Sequence, residues 1–243
     1  MAKKQMYSRA DELLTHLKKF IKNEFNRMGL LGFDELNVLN VQSQTEQLYT
    51  NLKEENMKVF ADGAKNAQEY ALKLIAVDED SDTTTKEYEE KVSESKKKKP
   101  KGAVVSSTIG TVVWLTQLLS EYNINTGYLY DSETDRKRMR YNEEILTARE
   151  YGDREAYNKA TNTSANLWYG QSEQYLLTSI DTATLETYKN NGIEKVRWMT
   201  EMDSKVCKTC KERHGIIYSI EEVPEKPHRR CRCYLVPVKD EDK

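Results

Sequence analysis

Apolar residues recur every three or four positions through the first thirty residues of the chain. They are Leu13, Leu14, Leu17, Phe20, Ile21, Phe25 and Met28. This spacing forms one apolar stripe on an α-helix. Ser8 is a suitable amino-terminal cap and Gly29 a suitable stop, so we predict an amphipathic helix between them.

A second helical pattern follows Asp34 and continues, with interruptions, to about Val77. Gly63 lies inside it and is expected to break or kink the helix, because glycine is a poor helix former. All four phenylalanines of the chain fall within the first sixty residues. We therefore expect the amino-terminal helices to pack together as one unit.

The pattern is lost over residues 78–102, where an acidic stretch leads to a lysine run at 96–99. This segment offers little apolar surface to bury, which is typical of a flexible, solvated linker. A nucleic-acid contact is the alternative, since clustered lysines neutralise phosphates. The apolar, β-branched residues from Val104 onward fit either a strand followed by a helix or one buried helix, and periodicity does not separate these alternatives.

Helical spacing returns between residues 131 and 190, and Asn190-Asn191-Gly192 is a strong helix stop. Residues 193–200 then alternate between polar and apolar side chains, as in a strand. We predict an α+β fold with a mainly helical amino-terminal region and a small zinc-bound α+β carboxy-terminal module. The predicted divisions are a helical arm at 1–77, the linker at 78–102, and a region at 103–243 that contains the Cys/His module at 193–238.

Composition and charge narrow the function only slightly. Of the 243 residues, 32% are charged and 37% are hydrophobic, and the net charge is −2. A near-balanced charge gives no general attraction to nucleic acid or membranes. No apolar run is long enough to cross a bilayer, and the first residues lack the apolar stretch of a secretory signal. We expect synthesis in a reducing cytosol and no membrane partner.

The cysteines are the strongest chemical signal. All four, with two of the three histidines, lie in the last forty residues. Cys207-x-x-Cys210 and His228-x-x-Cys231 are two knuckles that together supply four ligands for a tetrahedral Zn²⁺ ion. Cys233 could replace Cys231, because residues two apart on an extended strand point to the same side. With His214 as a further candidate, the sequence does not decide which four bind.

Two alternatives to metal binding remain open: a pair of disulfides, or ordinary reduced thiols in a small core. We favour metal, because His228 has ligand spacing and so small a module usually needs a metal or crosslink. A structural ion is favoured over a catalytic one, since the acidic residues nearby (Asp203, Glu212 and Glu221) are generic. His16 is interpreted as a surface residue, and the chain lacks familiar catalytic motifs.

The carboxy-terminal segment combines its cysteines and histidine with a set of further residues. The full pattern is Trp198, Asp203, Cys207-x-x-Cys210, Gly215, Tyr218, Pro224, Pro227, His228, Cys231, Arg232 and Cys233. This pattern resembles the signature of a family of tailed-phage minor head proteins, the head-morphogenesis family similar to the F protein of phage Mu. The match covers about residues 180–238. One departure is at residues 160–163, where Ala-Thr-Asn-Thr stands in place of the Arg-Thr-Glu element that family members often carry.

The resemblance implies a non-enzymatic minor capsid protein in the virion, inside the head or at the portal vertex, assembled in the host cytoplasm. It would act in head assembly and in DNA packaging or ejection. The implied partners are the portal protein and the major capsid or scaffolding protein, with non-specific phosphate contacts to packaged DNA. A zinc-dependent nuclease and a DNA-binding protein are the alternative functions.

Overall fold

The computed structural model describes residues 2–30, 38–76, 117, 119–120, 124, 132–228, 231 and 233–238. Most of these residues form the long helices α1 (Ala2–Leu30), α2 (Val38–Ala76), α3 (Ser132–Glu150) and α4 (Arg154–Asn190). A small unit follows, with β1 (Lys195–Met199), α5 (Lys208–Arg213), β2 (Ile217–Ser219), a 3₁₀ turn (Ile220–Glu222) and β3 (Tyr234–Val238). The predicted α+β class is confirmed: the chain is mainly helical, with a small sheet and a Cys/His cluster near its carboxy terminus.

The predicted bounds of the first helix were wrong at the amino-terminal end. The helix begins at Ala2 and not at Ser8, and it passes through Gly29 to end at Leu30. Lysine, glutamine and methionine, which occupy positions 3–6, are good helix formers. Continuing the helix through them is therefore inexpensive, and Ser8 is not needed as a cap.

The predicted break at Gly63 was also wrong, since α2 is one unbroken helix. Gly63 instead allows a close approach of α4. A Cβ atom added there would lie 2.5 Å from Leu176 Cδ1 and 3.4 Å from Ile180 Cγ1. The absent side chain therefore serves helix packing, which a single-helix pattern does not reveal.

Both ends of α4 have clear capping signals. The side chain of Asp153 accepts a hydrogen bond from the Ala156 amide at 2.9 Å. At the other end, Gly192 has a φ of +75° and the Ile193 amide donates to the Tyr188 carbonyl at 3.0 Å. This 6→1 bond after a left-handed glycine is a Schellman ending. The predicted stop at residues 190–192 is confirmed.

Helix α4 contributes to both cores of the helical bundle. One core joins α1 and α2 to Leu176, Ile180 and Ala183, and it includes Leu119 and Ile124. The second core surrounds Trp168 of α4 and includes apolar residues of α3 as well as of α1 and α2. The amino-terminal helices do pack together, as expected, but they share their cores with α4. The proposed linker at 78–102 lies outside the described residues, and the strand-or-helix question at Val104 concerns a segment of which only a few residues are described.

The sheet has the order β2-β1-β3, with both pairs antiparallel. The predicted strand at 193–200 is confirmed as β1. Tyr218 lies in β2 and pairs with Val196 of β1, so β2 extends the sheet on the side of β1 opposite β3.

The sheet packs against the bundle through a small apolar cluster around Ala71 of α2, Tyr188 of α4 and Val196 of β1. Tyr188 also donates a hydrogen bond from its hydroxyl to the Leu235 carbonyl at 3.2 Å. The end of α4 is thereby fixed to β3. Among the described residues, no helix has the length and apolar character needed to span a membrane.

Placing valine at Gly63 should destabilise the bundle. The added side chain would overlap Leu176, and overpacking of this kind costs about 1–3 kcal/mol, more than the few tenths that valine gains over glycine in helix propensity. Lys65→Val introduces the same residue on an exposed face of α2 and is the control. Urea unfolding measures both variants, and equal midpoints would contradict the close-approach role of Gly63.

Candidate metal centre

The first knuckle lies at the start of α5. Cys207 is the amino-terminal cap of this helix, and its Sγ accepts a hydrogen bond from the Cys210 amide at 3.4 Å. The cap residue and the third helical residue lie on the same side of a first turn. Cys207 and the buried Cys210 therefore present their sulfurs to the same region.

The second knuckle meets the first at Cys210. The Sγ atom of Cys210 lies 3.5 Å from His228 Nε2 and 3.6 Å from Cys231 Sγ. Zinc bonds of about 2.3 Å to sulfur and 2.0–2.1 Å to nitrogen give tetrahedral ligand–ligand distances of roughly 3.5–3.8 Å. These two separations thus have the size that a shared zinc ion requires.

All five predicted ligands belong to this cluster. Cys207, Cys210 and His228 form one group whose ligand atoms lie within 4.8 Å of one another, and Cys210, Cys231 and Cys233 form a second. Cys210 is common to both. The expectation that Cys231 and Cys233 project to the same side agrees with their shared proximity to Cys210. The four cysteines are unbridged, and the cluster could bind a metal ion.

The surroundings favour thiolate at two of the sulfurs. A hydrogen bond from Cys231, supported by donors from Thr200 and Cys210, lowers the pKa of Cys233 to about 5. The Cys210 amide lowers the pKa of Cys207. Burial raises the pKa of Cys210 to about 12, and the bond to Cys233 raises the pKa of Cys231. Cysteine binds a metal ion as thiolate. A bound cation would therefore offset the free-energy cost of ionising Cys210 and Cys231.

His214, the sixth candidate, belongs to neither group. Its Nδ1 atom accepts a hydrogen bond from the Thr200 amide at 3.1 Å, which joins the end of α5 to the end of β1. The remaining histidine, His16, lies on α1 with Nε2 at 2.6 Å from Glu55 Oε1. Its interpretation as a surface residue agrees with its exposure, since 54% of the side chain is accessible.

A small core encloses the cluster: Trp198 is 2% exposed and packs with Cys210, Cys231 and Cys233. The ring of Tyr218 meets the Trp198 ring edge-on at 6.4 Å. Gly215, at a φ of +82°, donates its amide to the Trp198 carbonyl at 2.7 Å. The turn and the aromatic pair therefore fix β1 and β2 beside the sulfurs.

The generic acidic candidates are not part of the cluster. Asp203 caps its own turn by accepting from the Lys205 amide at 2.9 Å. Glu212 lies 3.8 Å from Lys208, and Glu221 lies 2.7 Å from Lys189, both on the surface. None of the three belongs to a described group of potential metal ligands.

A cavity of about 450 Å³ separates α4 from the module and reaches His228, Cys231 and Cys233. On its wall, Lys226 lies 2.8 Å from Asp181 Oδ1 and 2.7 Å from Oδ2. Burial raises the pKa of Asp181 even though Lys226 opposes the rise. The sequence gives no local signal of this pair, because Asp181 and Lys226 lie far apart along the chain.

Comparison with models of known protein families, with curated proteins and with solved structures found no match.

Proposed function

We propose that this chain is a minor capsid protein of a tailed bacteriophage, located in the head or at the portal vertex and acting in head assembly and DNA packaging or ejection. The observation that carries the proposal is the assembly of the family-like pattern into one module. Cys207, Cys210, His228 and Cys231 converge there, and Trp198 packs against the sulfurs. Among the described residues of the pattern, Gly215 and Tyr218 also contact Trp198 and hold the strands beside the sulfurs.

The ion assigned to the module is a structural Zn²⁺. Mixed thiolate and imidazole donors suit zinc, which is tolerant of such mixtures and inert to redox change. The cluster contains five protein donors, Cys210 included, whereas a tetrahedral ion takes four. The protein can fill the coordination sphere without a water ligand, which is characteristic of structural sites.

A non-enzymatic role follows from the same surplus of donors. Catalytic zinc needs an open position and a base beside it. Asp203 and Glu221 are engaged elsewhere on the surface, and Asp181 is paired with Lys226. This arrangement supports a structural module over the alternative zinc-dependent nuclease.

The partners proposed are the portal protein, the major capsid or scaffolding protein, and packaged DNA through phosphates alone. The apolar stripes of α1 and α2 pack inside the bundle, where Leu17 and Leu52 are fully buried. Docking would therefore use the polar outer faces of these helices, with specificity from charge and shape.

Purified protein is expected to contain about one zinc ion per chain, as one tetrahedral site requires. Cys207→Ser and His228→Ala should lose it, and backbone amides of β1 should exchange faster with solvent because the module depends on the ion. His16→Ala is the matched control, since His16 lies outside the cluster. Elemental analysis and hydrogen exchange measure the outcome. Metal-free protein without titratable thiols would instead identify a disulfide framework.

Co-expression with the portal protein of the same phage should yield a complex that survives size-exclusion chromatography, whereas a portal protein of an unrelated phage should not bind. Zinc-dependent cleavage of plasmid DNA by the same preparation, lost in Asp203→Ala or His214→Ala, would support the nuclease alternative. Absence of a portal complex at micromolar concentrations would contradict the proposed location at the portal vertex.

A further inference from the structure

The segment that delivers His228 to the cluster has no secondary structure of its own. Residues 223–228 follow the 3₁₀ turn and form neither helix nor strand. Pro224 and Pro227 restrict the backbone torsions of this segment, but proline has no backbone N–H and cannot donate a hydrogen bond that would hold the segment in place. Its position must therefore come from side chains of neighbouring elements.

Two basic side chains connect the segment to neighbouring helices. Arg213 of α5 donates to the Glu225 carbonyl at 2.8 Å, and its guanidinium lies 5.1 Å from the centre of the Trp198 ring. Lys226, within the segment, bonds both carboxylate oxygens of Asp181 on α4. His228 lies two residues beyond Lys226, so both contacts set where its imidazole meets Cys210.

The Asp181–Lys226 pair differs in setting from the other ion pair between α4 and the module. Its side chains are only 26% and 16% exposed and line the cavity beside the cluster. Lys189 and Glu221 are 55% and 71% exposed. An exposed pair of this kind contributes little, whereas the partly buried pair is less screened by solvent and holds a more defined geometry.

The charge of Lys226 also suits its position. Three thiolates and one imidazole around Zn²⁺ leave a net charge of −1, and a fourth thiolate nearby adds to it. Lys226, on the wall of the cavity that reaches these residues, opposes the negative charge, whereas the Asp181 carboxylate beside it is repelled by Cys233. The pair therefore acts on the site through position and not through net charge. Asp181 keeps the lysine in place.

We propose that Asp181 is a positioning residue of the metal centre, which acts through Lys226 to hold the 223–228 segment on α4 and thereby places His228 at Cys210. The inference rests on the proposed zinc site. It makes the affinity for metal depend on a residue of the helical bundle that contacts no metal. The ion pair then links the bundle to the metal centre, in addition to the apolar cluster and the Tyr188 hydrogen bond that hold the sheet against the bundle.

The test is the zinc affinity of the full chain, measured by competition with a chromophoric chelator. Asp181→Asn and Lys226→Met should each weaken zinc binding by roughly 10–100-fold, the usual effect of losing an outer-shell partner. Lys226→Arg retains charge and reach, so it should remain close to the unmodified protein. Lys189→Met is the matched control, because it removes the exposed ion pair between the same two parts of the fold.

Cobalt substitution supplies a second readout, which a general loss of stability would not reproduce. Weakened placement of the imidazole should shift the visible ligand-field bands of the Co²⁺ form in Asp181→Asn but not in Lys189→Met. Unchanged affinity and bands in Asp181→Asn, or equal weakening in Lys189→Met, would overturn the positioning role alone. An unmodified protein that binds no zinc would overturn the zinc site and this inference together.

Discussion

The convergence of donor side chains on Cys210 is the constraint on which the carboxy-terminal module depends. The module has three short strands and one short helix, and its own core contains little besides Trp198 and three cysteines. So small a core buries too little apolar surface to offset the entropy of ordering the chain. Sulfur and imidazole ligands around one ion would supply the missing free energy, because metal binding to a site absent from the unfolded chain is folding free energy.

Helix α4 extends this constraint into the rest of the molecule. Its amino-terminal half packs Trp168 against α3, and its middle packs Leu176 against Gly63. Its final turns hold the module through Asp181 and Tyr188. One continuous helix thus serves both helical cores and the candidate metal centre. A distortion of the bundle would be transmitted to the module along this helix without requiring any change in the ligands themselves.

What could be predicted from the sequence was local. The helix stop before Gly192 and the strand after it depend on neighbours in the chain, and the Cys-x-x-Cys spacing dictates that two sulfurs share a side. Features decided by distant residues were missed or misread. Gly63 was interpreted as a helix breaker because its packing partner, Leu176, lies on another helix. Nothing near Tyr218 in the chain specifies its pairing with Val196, and nothing near Asp181 specifies its bond to Lys226.

Burial inside the bundle also changes how the proposed partners would be engaged. Amphipathic helices bind grooves through apolar stripes when those stripes are free. Here the stripes of α1 and α2 are buried against α4, and using them for docking would require opening the cores around Leu17 and Leu52. Opening a packed core costs more free energy than most transient interfaces return. A head or portal contact made by the folded α1 and α2 would therefore use their polar outer faces and not the buried stripes.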